Sequence, residues 1–196
     1  MSIVILVSGG LDSTLIAKLA QEEGLRQYPL FVDYGQRSRV RELAACRRAM
    51  VDLDLPEPKV ADLSGFGALI HSGLTDSKLD VVEDAFTPGR NMLFLLMAAA
   101  YAYQVDADAV SIGLLHESTS LFPDQTSAFL QDAEDMIRRC MGRSIRVLAP
   151  LANFHKADVV ALAKLKGIQN TYSCHLGGEE ACGACIACRE FKFEEV

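Results

Sequence analysis

The chain has 196 residues, 50% of them hydrophobic and 23% charged, which is the composition of one folded globular domain and excludes disordered, collagen-like and low-complexity architectures. Acidic residues number 26 and basic residues 19, so the formal net charge is −7. No nucleic acid is expected as a partner, because phosphate backbones are bound by a surplus of Lys and Arg.

Apolar and amphipathic stretches alternate along the sequence. Short β-branched runs predict buried strands at residues 3–7, 29–33, 59–63, 109–114 and 145–148. Amphipathic patterns predict one helix that begins at residue 11 and ends at Gly24, and others at residues 40–50, 91–103, 127–140 and 156–166, with Asn91 as an N-cap. Residues 64–90 and 115–124 predict loops, the first with one short helix. This order predicts the α/β class, with a doubly wound parallel five-stranded sheet over residues 1–168.

The first predicted strand leads into its helix through the phosphate-loop candidate Ser8-Gly9-Gly10-Leu11-Asp12-Ser13. Its glycines let the backbone approach a ligand closely, and free N–H groups at the helix start attract an anion. Phosphate would repel Asp12 unless a cation lies between them, which indicates Mg²⁺. No lysine precedes Lys18, so the segment is not a Walker A loop. The alternative interpretation is a plain strand–turn–helix in which Asp12 is an N-cap.

The last part of the chain is rich in cysteine. Four of the six cysteines crowd there, namely Cys174, Cys182, Cys185 and Cys188. Their spacing is typical of a tetrahedral Zn²⁺ site, and four sulfur ligands leave no open position, so the metal is expected to be structural. An iron–sulfur cluster and a redox disulfide pair are the alternatives. We predict a zinc knuckle over residues 169–196, packed on the main domain.

No membrane-spanning segment is expected. The longest apolar run, residues 92–103, is shorter than the roughly 20 residues that a transmembrane helix needs. The run at residues 3–7 has no basic region before it and meets Ser8 at once, which is unlike a secretory signal. We therefore expect a cytoplasmic protein without a membrane partner.

The phosphate-loop hexapeptide resembles that of the PP-loop ATP pyrophosphatases. Four further segments narrow the resemblance: Asp33-Tyr34-Gly35-Gln36-Arg37, Pro88-Gly89-Arg90-Asn91, Ala149-Pro150-Leu151 with Lys156, and Ser173-Cys174 leading into the cysteines. In this order they resemble the 7-cyano-7-deazaguanine synthase (QueC) family over residues 3–188. The resemblance implies an adenine-nucleotide-hydrolase-like fold, ATP, Mg²⁺ and structural Zn²⁺ as cofactors, and a homodimer.

The resemblance also implies a reaction. The family enzyme adenylates the carboxylate of 7-carboxy-7-deazaguanine, and ammonia then displaces AMP to give the amide. A second activation dehydrates the amide to the nitrile. A carboxylate is a poor electrophile, and adenylation converts its oxygen into a leaving group. The expected partners are therefore a small deazapurine acid and an amine donor, and the activity is that of a carbon–nitrogen ligase that releases AMP.

Residue roles follow from the same resemblance. The predicted nucleotide-binding residues are Ser8, Gly9, Gly10, Leu11, Asp12, Ser13, Thr14, Tyr34, Gly35, Gln36, Arg90 and Asn91. Asp12, Arg90 and Lys156 are the predicted catalytic residues: Arg90 would neutralise a phosphate or carboxylate, and Lys156 would stabilise transition-state charge. The alternatives without a catalytic role are a surface arginine for Arg90 and a solvated lysine in the first turn of a helix for Lys156. The predicted substrate-binding residues are Arg37, Ser120, Phe122 and Asp124.

The chain departs from the family pattern on the predicted substrate side. Ser120, Pro123 and Asp124 are retained, whereas substitutions stand at Ser38 (family His), Arg41 (Glu), Ser118 (Asp), Leu121 (Gly), Phe122 (Tyr), Gln125-Thr126 (Cys-Arg) and His175 (Tyr). Exchanging a polar for an apolar group removes a hydrogen bond and can change specificity strongly. A relative that joins the acid to another amine, even a protein amine, or that stops at the amide is therefore an alternative. Three further alternatives remain: a tRNA-thiolating enzyme, an enzyme that activates another acid, and a catalytically inactive interaction module folded by zinc.

Overall fold

The computed structural model describes residues 1–191. Within them, one sheet contains the strands β1 (Ser2–Leu6), β2 (Arg26–Asp33), β3 (Lys59–Asp62), β4 (Ala109–Ser111) and β5 (Arg146–Leu148). All neighbouring strands run parallel, in the order β3-β2-β1-β4-β5. The chain thus builds outward from β1 in both directions, which confirms the predicted doubly wound sheet. Such a sheet binds ligands beyond the carboxyl ends of the two strands between which the strand order reverses, here β1 and β4.

Helices cover both faces of the sheet. They are α1 (Leu11–Glu22), α2 (Arg39–Asp52), α3 (Ser64–Leu69), α4 (Arg90–Gln104), α5 (Ser127–Met141), α6 (Lys156–Leu165) and α7 (Ile186–Arg189). Because side chains alternate along a strand, Ile3 and Ile5 pack with residues of α1, α2 and α6, whereas Val4 and Leu6 pack with residues of α4 and α5. No described helix is both long enough and apolar enough to cross a membrane.

Most element boundaries lie within two residues of the sequence expectation, and three differences are larger or change the role of a residue. Strand β2 begins at Arg26, which pairs with Ser2 of β1, and the side-chain amide N–H of buried Gln27 donates to the Ala17 carbonyl at 3.0 Å. Strand β4 ends at Ser111 rather than at residue 114. The prediction of Asn91 as an N-cap is wrong: Gly89 caps α4 with a left-handed φ of 74°, so Asn91 lies within the first turn.

The cysteine-rich tail packs directly on the phosphate loop. The backbone N–H of Tyr172 donates to the Gly9 carbonyl at 2.9 Å, and Arg41 of α2 forms an ion pair with Glu179 at 2.7 Å. The tail thereby supplies part of the wall around the carboxyl ends of the strands.

Gly9 is a tightly packed position in the phosphate loop. It has a φ of +79°, and a Cβ there would meet the Glu42 carbonyl and lie 2.6 Å from the Cys46 backbone nitrogen. We expect Gly9→Ala to lower the free energy of unfolding by about 3 kcal/mol, from left-handed strain together with overpacking. The matched control is Gly24→Ala, with φ +67° and nothing within 4 Å of the new Cβ, which should cost about 1 kcal/mol in chemical denaturation. Equal losses would contradict the packing argument.

Candidate active site

A cavity of about 330 Å³ opens at the carboxyl ends of the central strands. Its wall combines the phosphate loop, the segment after β2, the start of α4, the loop after β4 and the cysteine-rich tail. The residues predicted from the sequence that line this cavity are Ser8, Gly10, Leu11, Asp12, Ser13, Tyr34, Gln36, Arg90, Asn91, Ser120, Phe122 and Lys156. Segments from most of the described chain therefore meet at one site.

Hydroxyl groups brace the phosphate loop. The Ser8 and Ser13 hydroxyls lie 3.1 Å apart, and the Ser13 and Thr14 hydroxyls donate to the Gly10 carbonyl at 3.2 and 2.8 Å. Because α1 begins at Leu11, its first turn opens on the cavity with N–H groups that intrahelical bonds leave free. This arrangement suits an anion. Thr14 supports the loop but lines a separate groove, and neither Gly9 nor Gly35 lines the cavity within the described residues.

Lys156 is held between two carboxylates at the edge of this loop. Its Nζ lies 2.8 and 3.1 Å from the Asp12 carboxylate oxygens and 3.2 Å from Glu190 Oε2. Burial lowers the pKa of Lys156, but the charges of Asp12 and Glu190 and their hydrogen bonds outweigh burial and raise it above its ordinary value. The ammonium therefore stays protonated at neutral pH. Its charge is available to an anion that displaces either carboxylate.

Arg90 lies against aromatic rings in the wall of the cavity. Its guanidinium carbon is 5.7 Å from the centroid of the Tyr34 ring and 5.9 Å from that of Phe94. Nη1 is 3.5 Å from the Tyr34 hydroxyl, and the buried Nε has no hydrogen-bond partner among the described residues. Stacking of this kind fixes the plane of the guanidinium and leaves its edge for a ligand.

A carboxylate also faces the cavity from α2. Glu42 accepts hydrogen bonds from the Ser38 hydroxyl at 2.7 Å and from Gln36 Nε2 at 2.9 Å. Gln36 in turn accepts from the Tyr34 backbone N–H at 3.0 Å, so the segment after β2 and the start of α2 form one connected network. Burial raises the pKa of Glu42 above its ordinary range.

The residues predicted on the substrate side are arranged in three ways. Ser120 and Phe122 line the cavity, and the Phe122 ring packs on Phe86 with centroids 5.1 Å apart. Asp124 lies behind the lining, where its backbone carbonyl accepts from the Asn91 side chain at 2.9 Å. Arg37 lies outside the described lining, and its guanidinium donates to the Gly73 carbonyl at 3.1 Å. For Asp124 and Arg37 the contacts indicate support of neighbouring segments.

The four tail cysteines form one cluster that fits a metal ion. Their Sγ atoms all lie within 4.8 Å of one another, and Cys182 Sγ and Cys188 Sγ are 3.9 Å apart. Sulfur ligands about 2.3 Å from a tetrahedral Zn²⁺ are separated from one another by nearly the distance between the Cys182 and Cys188 sulfur atoms. Burial raises the pKa of Cys182, but N–H groups of Ala184 and Cys185 outweigh it and lower the pKa to about 6. The donor set therefore suits a thiolate-bound cation.

Glu42, His175 and Glu190 are among the lining residues to which the sequence interpretation gave no role in the site. Burial and the charge of Arg90 lower the pKa of His175 to about 4, so its imidazole is neutral at pH 7. Ser38 and Glu42 are one helical turn apart, a spacing that signals side-chain contact and makes Glu42 detectable in principle. No local pattern marks His175 or Glu190, because each reaches the site only through the fold of the tail.

Comparison with known proteins identifies the family. The family profile described as "Queuosine biosynthesis protein QueC" matches residues 2–194. The chain belongs to the QueC family. It is therefore an enzyme of an ATP-using family of carbon–nitrogen ligases. Two relatives named 7-cyano-7-deazaguanine synthase are each 35% identical to it over 200 residues. The alignment covers 94% of this chain and 88% of the protein from Acetivibrio thermocellus, and 95% and 89% for that from Sulfurovum sp..

A solved structure carries the same fold. The U34-tRNA thiolase NcsA from Methanococcus maripaludis aligns with a TM-score of 0.58 over 97% of this chain and 63% of its own. The two sequences are 14% identical, so this likeness concerns the fold alone. Together with the parallel sheet, it confirms the predicted PP-loop architecture of this QueC-family chain.

Proposed function

We propose that the protein adenylates the carboxylate of 7-carboxy-7-deazaguanine with ATP and converts the acid with ammonia to 7-cyano-7-deazaguanine. The observation that carries this proposal is a single cavity lined by the phosphate loop, by Lys156 paired with Asp12, and by Arg90. The loop has the features of a triphosphate site, and Arg90 adds a fixed cation beside aromatic rings that suit a planar acid. Membership of the QueC family supports the same assignment.

The first step is attack of the substrate carboxylate oxygen on the α-phosphorus of ATP, with pyrophosphate leaving. The loop N–H groups and the Ser8 and Ser13 hydroxyls would hold the phosphates. Lys156 would neutralise negative charge that moves onto the departing pyrophosphate. Arg90 would hold the acid near the nucleotide through a charge-assisted hydrogen bond.

Asp12 fits the requirement for a cation at the phosphates. Its carboxylate lines the cavity beside the loop, and hard oxygen ligands of this kind suit Mg²⁺. The ion, when bound, would neutralise phosphate charge and polarise the α-phosphate. For the four thiolates of the tail we propose Zn²⁺ with a structural role, since every ligand position is filled by sulfur.

The later steps convert the acyl-adenylate to the amide and then use a second adenylation to reach the nitrile. Ammonia attacks the acyl carbon of the adenylate, AMP departs with the electron pair of the acyl–oxygen bond, and one proton passes to solvent, which gives the amide. The amide oxygen then attacks the α-phosphorus of a second ATP and pyrophosphate leaves. Departure of AMP with the electron pair of the carbon–oxygen bond, and loss of both amide N–H protons to solvent, leaves the nitrile. Ser120 and Phe122 are proposed to border the substrate, while Asp124 and Arg37 support Asn91 and the neighbouring loop.

The rim of the cavity favours a second candidate function, ligation of the same acid to a larger amine such as a protein amine. Leu121 is 61% exposed and Phe86 is 38% exposed, and Phe86 stacks on Phe122. An exposed apolar rim suits contact with a macromolecule better than contact with ammonia. In this case the acyl-adenylate would form in the same way and only the nucleophile would differ.

Product analysis by mass spectrometry tests the proposal. Incubation with ATP, Mg²⁺, 7-carboxy-7-deazaguanine and an ammonium salt is expected to yield the nitrile, with AMP and pyrophosphate in equal amounts. A parallel reaction supplies a peptide amine instead of ammonium. The second candidate would be favoured if the peptide reaction yields an amide-linked peptide and the ammonium reaction yields no nitrile. Absence of AMP from both reactions would refute both candidate functions.

A further inference from the structure

Glu42 stands at the cavity wall with its orientation fixed. Ser38 donates to Oε1 and Gln36 to Oε2, and Gln36 is itself held by the Tyr34 backbone N–H. A carboxylate offers about four acceptor positions, so each oxygen retains room for another donor.

This carboxylate has no direct counter-charge. Within residues 1–191, Glu42 makes no ion pair, although it is partly buried and its pKa is raised by burial. The positive charge of Arg90 acts on it without a salt bridge. An ionised carboxylate in such a position is favoured by a ligand that brings N–H donors to it.

The wall of the same cavity also carries positive charge and aromatic surface. Arg90 stacks over Tyr34 and Phe94, whose ring centroids are 5.2 Å apart. A planar heterocycle with an acid group and, at its other end, a pair of N–H donors would match a cavity wall that holds both the Arg90 cation and the Glu42 carboxylate.

Resting on the proposed function, we propose that Glu42 is a specificity-determining residue that accepts hydrogen bonds from the ring N–H and the 2-amino group of a guanine-type base. Those two donors are adjacent on one edge of the base and match the two oxygens of a carboxylate. Adenine presents an acceptor beside its amino group on the corresponding edge, so it cannot donate twice to Glu42. Glu42 would therefore favour the base of the acid over the adenine of ATP at this position.

Calorimetric binding of two ligands to two proteins tests this assignment. The ligands are 7-carboxy-7-deazaguanine and the same acid without its 2-amino group, and the proteins are the full chain and its Glu42→Gln variant. We expect the parent to prefer the amino compound about 10- to 100-fold, because a hydrogen bond to a charged group is lost with the other ligand. In Glu42→Gln the preference should fall to nearly one, and the Kd of a non-hydrolysable ATP analogue should not change.

Glu57→Gln is the matched control, since Glu57 is an exposed carboxylate paired with Arg47 of the same helix α2, and it should keep the parent preference. If Glu42→Gln does not fold, Ser38→Ala removes one of the donors that orient Glu42 and should reduce the preference partially. If Glu42→Gln and Ser38→Ala both bind the amino compound and keep the parent's preference for it over the compound without the amino group, the role of Glu42 is overturned. Failure of the parent to bind either acid would instead refute the proposed function.

Discussion

Lys156→Ala is expected to reduce the rate of pyrophosphate release by about 10²- to 10³-fold, the usual cost of removing one group that stabilises transition-state charge. The side chain joins Asp12 and Glu190, so its loss leaves two carboxylates without their shared cation beside the phosphate loop. These carboxylates would then repel the triphosphate. We therefore expect a higher KM for ATP as well as a lower kcat.

The measurement is acid-dependent pyrophosphate release at several ATP concentrations. Lys166→Ala is the control, because Lys166 lies just beyond the same helix α6 and pairs with Glu22 on the surface. It should keep kcat within about two-fold, since an exposed ion pair contributes little to stability. If Lys156→Ala raises only KM, the lysine acts in uniform binding and the transition-state role is wrong.

The regular elements were predictable because each depends on a repeat within a short stretch of sequence. Strand β1 alternates Ile3, Val4 and Ile5 between two helix layers, and a strand buried on both faces has a uniformly apolar sequence. The order of the strands followed from the alternation of strand and helix, which allows few topologies. The cysteine cluster and the strand–loop–helix of residues 8–13 were also visible, because each belongs to a short segment of the sequence.

Contacts between distant segments were not predictable from local pattern. The ion pair of Asp12 with Lys156 joins residues 144 positions apart, and Lys156 was singled out by resemblance alone. Glu190 joins the same cluster through the fold of the tail. The family pattern led us to expect a glutamate where Arg41 stands, and the structure turns the adjacent Glu42 toward the cavity instead. A shift of one residue on a helix rotates a side chain by about 100°, so only the placement of α2 settles which carboxylate faces the site.

Removal of the tail metal is expected to have the largest effect on stability. Cys174, Cys185 and Cys188 are buried, and burial raises the pKa of Cys188 to about 12. Burial also raises the pKa of Cys185, so without a cation the thiols of Cys185 and Cys188 would stay protonated inside the cluster. Structural zinc modules derive an apparent 10–16 kcal/mol or so from their metal at pH 7, which exceeds the stability of many domains. The tail is therefore expected to unfold when the metal is removed.

Cys185→Ser tests this directly, with Cys140→Ser as the control because Cys140 is exposed and lies outside the cluster. We expect Cys185→Ser to lose most of its zinc, which should be about one ion per chain in the parent, and to expose the tail to proteolysis. Cys140→Ser should keep both its zinc and the parent's resistance. Zinc content is measured by elemental analysis, and an iron signal in place of zinc would favour the cluster alternative.

Loss of the tail should also abolish catalysis, although no cysteine touches the proposed substrates. The tail holds the phosphate loop through the Tyr172 N–H bond to Gly9 and contributes Glu190 to the Lys156 cluster. Unfolding it removes both contacts together. We therefore expect chelator-treated protein to lose ATP binding in proportion to its loss of zinc, and added Zn²⁺ to restore both. Full ATP binding by protein that has lost its zinc would show that the phosphate loop is formed without the tail.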